Sequence, residues 1–327
     1  MAFERTMPPH GCQEPLTLDG WLEFNRYKWK LTPQRVQFPP SGGPPLVKAV
    51  LYLNRRGRIV LPRLNPYLPV AFVATPTEKL HRLQSQWLAV ARLLAVDMRR
   101  RGARGPLPLS PEVADARPWA WAGFRIGLVY TLHIDLPLKA EEADTAVWAK
   151  VRKAQRNGYR TERSTDMAHV LAAMRGTEER KNLHMGLTVQ DLELARELLG
   201  DECLRAYVSY APDGAPAASV VCLLVPGGRA TFWVGGSASE HLTSGATQLM
   251  IDCALRDLSA AGVRCADLMG ANLPTVAPAK AQWGARLVPY PVVEAFGLRG
   301  LARWGLGWLR STRRRKGTGS YGGNNCR

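Results

Sequence analysis

The spacing of apolar residues changes along this chain, and each change marks an element. Between residues 46 and 62, LVKAVLYLN and RIVLP alternate as two strands, and Asn54, Arg55, Arg56 and Gly57 between them predict a hairpin. Upstream, WLEFNRYKWK sets Trp21, Phe24 and Trp29 on one side of an amphipathic helix, while its interleaved aromatic and basic residues offer a second reading, contact with tRNA or another polyanion. From Thr77 to Arg101, Leu80, Leu83, Trp87, Val90, Ala91 and Leu94 recur with the period of one long helix. Its last residues, Arg99, Arg100 and Arg101, suit the negative end of a helix dipole. Tyr130 to Leu136 alternates again and predicts a strand, preceded by the cluster Arg117, Trp119, Trp121 and Phe124.

The second half reads as a layered α/β unit. Residues 139–157 carry acids first and bases last, with Gly158 placed to cap a helix. A further helix leads into the polar stretch TEERKNLHMGLT, and Thr188 with Asp191 makes a capped start for a helix ending at Leu199. Three strands follow, Leu204–Tyr210, Ala217–Val225 and Thr231–Val234, turned by Pro212-Asp213-Gly214 and Pro226-Gly227-Gly228. A polar loop then enters a helix from Gly245 to Ala261, whose apolar face is Leu249, Met250, Cys253, Ala254 and Leu258. Gly262 stops it, Val263 to Met269 predicts another strand, and Gly270 with Asn272 opens a loop. A ligand groove is expected beside the third strand. Free N–H groups near Ser244, Gly245 and Ala246 would form an anion site there, although small residues also serve simply to start and pack a helix.

Composition narrows the class. At 327 residues with 46% hydrophobic content, the chain has length for two globular domains. Six cysteines lack C-x-x-C spacing, which fits thiols in a reducing compartment. With no signal pattern and no long apolar run, a cytoplasmic protein is expected. The net charge of +17 steers anionic partners such as CoA, tRNA or an anionic membrane. Residues 297–327 hold eight of the basic residues and no acid. There FGLRGLARWGLGWL followed by RRRK offers peripheral membrane contact or docking on the protein, and GTGSYGGNNCR reads as disordered. No G-x-S-x-G and no P-loop is present, which argues against a serine hydrolase and a nucleotide-triphosphatase.

Three stretches in this order, AKVRKAQRNGYR at 149–160, AYVSYAPDGAPAASVVCLL, and AKAQWGARLVPY with Lys280 and Gly284, resemble the GNAT superfamily of acyltransferases, in its Fem-like branch of two tandem GNAT-type halves. The resemblance implies an α/β (α+β layered) fold in which each half is a mixed, largely antiparallel sheet flanked by helices. It divides the chain into a degenerate half at 1–137, an acyltransferase half at 138–295, and a basic helix and tail at 296–327. It also implies acyl transfer to an amine, from acyl-CoA in most GNAT enzymes and from aminoacyl-tRNA in Fem ligases. The donor loop here, His241-Leu242-Thr243-Ser244-Gly245-Ala246, departs from the family's R/Q-x-x-G-x-G/A pattern, and no heptad arm for tRNA is evident.

Direct aminolysis needs an oxyanion donor and a proton route, but no covalent enzyme intermediate and no permanent cofactor or metal. The expected donor site is Val234, Gly235, Gly236, Ser244, Gly245 and Ala246. Glu240, His241 or Asp267 is expected to accept a proton and Tyr290 to protonate the leaving group. Arg152, Arg156, Asn272 and Lys280 are expected to hold substrate. The leading expectation is an acyl-CoA-dependent N-acyltransferase acting on the primary amine of a small molecule or envelope precursor. Aminoacyl-tRNA is the alternative donor, and a non-catalytic module on nucleic acid or anionic membrane is the third reading.

Overall fold

The computed structural model describes residues 14–295. The segments read as a membrane-contacting helix and a disordered tail, from 296 onward, lie outside the described residues. The chain begins with α1 (Asp19–Trp29), followed by β1 (Thr32–Phe38), β2 (Leu46–Leu53), β3 (Ile59–Val60) and β4 (Val70–Val73). These strands form a small antiparallel sheet in which β2 pairs with the other three. The expected hairpin is β2–β3. β1 was hidden by Pro33 and the Pro-rich stretch after it; an edge strand tolerates Pro33 because its outer N–H groups need no partner. α2 (Leu80–Arg100) lies across this sheet and buries Trp87, Val90, Ala91, Leu94, Ala95 and Met98, one stripe of the predicted helix.

The chain continues through β5 (Pro106–Pro108), α3 (Arg117–Trp121) and β6 (Phe124–Asp135), then α4 (Thr145–Arg156), β7 (Arg160–Ser164), α5 (Met167–Lys181) and α6 (Val189–Cys203). It closes with β8 (Leu204–Tyr210), β9 (Pro216–Leu224), β10 (Arg229–Ser237), α7 (Ala246–Ala260), β11 (Cys265–Asp267), α8 (Ala277–Ala281) and β12 (Arg286–Ala295). One eight-stranded sheet runs β5-β12-β6-β11-β10-β9-β8-β7, parallel between β10 and β11 and antiparallel elsewhere. The architecture is thus a mixed α/β fold with open sheets flanked by helices, as expected. β5 and β6, from the chain before residue 137, are strands of the same sheet as β7–β12.

Strand alternation assigns the two faces. On β10, Trp233 packs with Trp21 and Phe24 of α1 and Met174 of α5, whereas Phe232 packs with Met250 and Leu255 of α7. α1 belongs to the first half in sequence yet lies on α6, so closely that a Cβ on Gly20 would overlap the Leu198 carbonyl. Thr188 caps α6 with Asp191 as the sequence predicts, and Asp191 also takes an ion pair from Lys28 of α1 at 2.6 Å. The predicted strand 263–269 contracts to Cys265–Asp267, because Met269 (φ 59°) and Gly270 (φ 73°) turn the chain away. Among the described residues no helix is long and apolar enough to cross a membrane.

Candidate functional site

The sheet opens where β10 and β11 part. They pair only through Arg229–Thr231 and Cys265–Asp267. Beyond Thr231, β10 continues to Ser237 paired with β9 alone. A strand paired on one side turns alternate N–H and C=O groups to the other, so this length of β10 presents backbone donors into the fork.

Glycines set the shape of its upper arm. A Cβ on Gly235 would meet the Ser219 carbonyl of β9 at 2.7 Å, and one on Gly236 would meet Met174 Cα of α5 at 2.8 Å. α5 therefore crosses the end of β10 in close contact. Thr177 Oγ1 accepts from Ser237 N–H at 2.9 Å, and Arg180 Nη1 donates to the Ser237 carbonyl at 2.9 Å. Val234 lies in the core.

The lower arm carries the ionisable groups. Asp267, fully buried, accepts from Met269 N–H at 2.9 Å and from the Thr131 hydroxyl. His133 Nε2 stands 3.4 Å from its other oxygen. Burial opposes a charge on either side chain, but their mutual attraction prevails: His133 is lifted to about 9 and Asp267 is held below its ordinary value. They are a buried imidazolium–carboxylate pair. By tying down Met269, Asp267 fixes the turn after β11, and Leu268 N–H anchors it to the Leu132 carbonyl at 2.8 Å. Onto the Leu268 carbonyl Lys280 of α8 donates its Nζ. Burial lowers the Lys280 amine to about 8, against the pull of Asp267. Trp283, buried and edge-on to Trp148 at 5.8 Å, holds the end of α8. Tyr290, on the Asp267 side of the sheet, meets Tyr67 edge-on at 5.9 Å, and burial with the nearby Asp267 raises its phenol to about 12.

The structure thus gathers Asp267, Lys280 and Tyr290 around the lower arm and Val234, Gly235 and Gly236 on the upper. Glu240 and His241 lie elsewhere in the contact network: Glu240 is exposed, and His241 Nδ1 is 2.9 Å from the Tyr159 hydroxyl. Ser244, Gly245 and Ala246 are buried under α4. A Cβ on Gly245 (φ 91°) would collide with the Lys150 carbonyl, and Ala246 N–H is already capped by Ser244 Oγ at 3.1 Å. Arg152 and Arg156 are exposed on α4, where the neighbouring Lys153 donates to the Thr243 carbonyl at 3.0 Å. Asn272 clamps Tyr130: its side chain accepts from the Tyr130 N–H and donates to the Tyr130 carbonyl, both at 2.8 Å. At the end of α5, within the polar stretch, a depression of about 380 Å³ is lined by Arg175, Glu178, Glu179, Asn182, Leu183 and His184.

Sequence reasoning passed over His133 and Thr131. Their signal was present in YTLHID, where two polar residues alternate with Leu132 and Ile134. It also passed over Arg229, nearly fully buried, whose Nη2 binds Glu112 at 2.5 Å and whose Nη1 lies 3.3 Å from Glu14. Burial raises Glu14 to about 7 despite Arg229. Tyr67 donates to Glu14 at 3.1 Å, so four residues from distant parts of the chain close one polar cluster.

A strand fork in a layered mixed sheet, with a helix following the upper arm, is a GNAT-like arrangement. Residues 144–275 match the family described as an acetyltransferase (GNAT) domain. Among solved structures, a crystal structure of FemX is 13% identical, with a TM-score of 0.61 over 88% of this chain and 94% of that one. The structure of L-PGS from Bacillus licheniformis is 11% identical, with a TM-score of 0.53 over 89% of this chain and 96% of that one. The fold of the described chain is therefore GNAT-like in the Fem arrangement. No curated protein matches the sequence.

Proposed function

We propose that this chain transfers an acyl group from an activated ester or thioester to a primary amine by direct aminolysis in the β10–β11 fork. The observation that carries this reading is the placement of Lys280 Nζ on the Leu268 carbonyl, directly after β11 where that strand parts from β10. As the amine nitrogen bonds to the acyl carbon, the carbonyl oxygen gains charge, and the Lys280 ammonium with the β10 N–H groups stabilises it. When the carbon–sulfur or carbon–oxygen bond breaks, Tyr290, kept protonated by burial, supplies a proton to the leaving group. The amine's surplus proton goes to water, since Glu240 and His241 lie away from the fork. Asp267 acts as the fixed partner of His133 and Met269 rather than as the mobile base.

Acyl-CoA remains the first donor to test, in keeping with the matched domain description. One observation favours aminoacyl-tRNA instead: the N-terminus of α7 is capped by Ser244 and packed beneath α4, leaving it poorly placed for a CoA pyrophosphate. Over the same helix pair the exposed Arg152 and Arg156 suit a longer polyanion. Calorimetric titration with acetyl-CoA and retention of charged tRNA, each with Lys280→Met for comparison in a transfer assay, separate the two. Transfer from either donor to an amine that Lys280→Met abolishes supports the reading; full activity in Lys280→Met overturns it.

A further inference from the structure

β6 and β12 form an antiparallel ribbon that pairs Phe124–His133 with all of Arg286–Ala295. β5 widens it only at Val292–Glu294 and β11 only at His133–Asp135. Between those ends part of one face is open: Leu128 is 61% exposed, Ile126 and Tyr130 39% each, and Leu287 57%, while their partners Pro291, Val293 and Leu132 are buried. Residues two apart share a face, so these side chains form one patch, continued by Pro289. From Ile126 to Leu132 and from Leu287 to Val293 that face bears no charged residue.

Cations stand beside it. The Arg99 guanidinium lies 5.8 Å from the Phe124 ring centre; Arg117 lies 5.7 Å from that of Trp121, which is 60% exposed, and is held there by Asp115 through two hydrogen bonds at 2.8 and 2.9 Å. Ala295 pairs with Phe124 at this same end of the ribbon, and from there the chain enters 297–327, with its eight basic residues and no acid. Contiguous exposed apolar surface marks an interaction site. A face-to-face second copy would bring together two chains that each carry a net charge of +17, which like-charge repulsion disfavours. An anionic bilayer satisfies both halves of the patch, because apolar side chains enter the interface while bases hold phosphates.

We infer that the β6–β12 ribbon is a membrane-docking face, with Leu128 at its centre and an anionic phospholipid surface as its partner. The interaction is independent of the donor used in the fork. The test is co-sedimentation of the full chain with vesicles of phosphatidylcholine alone and of phosphatidylcholine with phosphatidylglycerol. Wild type, Leu128→Glu, Leu128→Arg and Leu128→Trp are compared after circular dichroism has shown that all are folded. Binding restricted to the anionic vesicles is expected, weakened about tenfold or more by Leu128→Glu and also by Leu128→Arg, since each removes an exposed leucine that the bilayer would bury. Leu128→Trp is expected to retain binding and to show lipid-dependent blue-shifted fluorescence. Absence of binding, or binding unchanged by Leu128→Glu and increased by Leu128→Arg, overturns the inference, the latter outcome assigning attraction to charge alone. A dimer that Leu128→Glu dissociates and that ignores vesicles would assign the face to a second copy. Stronger vesicle binding after truncation at Ala295 would assign it to the chain's own 296–327 segment; both outcomes overturn the bilayer as partner.

Discussion

Gly245 and Lys150 meet backbone to backbone, with no side chain between the start of α7 and the middle of α4. The Gly245 φ of 91° and the overlap that a Cβ would make with the Lys150 carbonyl act together. Gly245→Ala is therefore expected to cost about 2–4 kcal/mol, combining left-handed strain with overpacking. Urea unfolding measures it; a loss under about 0.5 kcal/mol, the scale of neutral surface changes, would show the contact to be loose. A bulky residue at 245 disturbs folding and is a poor probe of donor binding.

Lys280 links stability of the turn to chemistry in the fork. Replacing it by methionine keeps the buried stem and removes the cation, so transfer is expected to fall by roughly 10²–10³, as when one oxyanion donor is lost. The ammonium is lost as pH rises through about 8, where burial has placed its ionisation. The single-turnover rate at saturating neutral amine should fall through that pH in the wild type. In Lys280→Arg the fall should move beyond the accessible range.

His133 gives folding stability a slope of definite sign. Its folded value of about 9 lies above the ordinary 6.5, so the native state keeps a proton that the unfolded chain releases. The stability from the Asp267 pair is complete below about 6.5 and is lost as pH rises toward 9. Lys280 works oppositely between about 8 and 10.5, because the unfolded chain binds more protons there. The comparison of wild type with His133→Gln is thus cleanest between 6.5 and 8, where denaturant midpoints should converge as pH rises. Parallel curves would mean that the pair carries no charge.

Arg229 compensates Glu14 and Glu112 in a nearly closed cluster. Arg229→Met is expected to cost about 3–5 kcal/mol, since it leaves buried acids without their cation. Adding Glu112→Gln should recover part of the loss, a coupling that a double-mutant cycle reads directly.

Periodicity made α2, α6, α7 and the β8–β10 meander legible, because each buries one regular face. Elements defined by distant partners were harder to see. β1 exists because β2 offers an edge, and α1, legible as an amphipathic helix, gave no sign of its seat on α6, which a glycine contact fixes. At the site, the family-like ending marked Lys280, whereas the His133–Asp267 pair depends on β6 and β11 becoming neighbours across more than a hundred residues of chain. Asn272 illustrates the reverse case: a polar loop residue suggestive of substrate binding spends both ends of its amide on Tyr130.

The position of β6 and β5 in a sheet with β7–β12 has a consequence for dissection. A fragment beginning after Pro137 would leave β12 without either partner and β11 open along the flank that β6 occupies. Such a piece would carry a raw strand edge and a propensity to aggregate. Co-expression of the two pieces, by contrast, offers a route to reassembly by strand insertion, making the junction near 137 a natural place to build a split reporter.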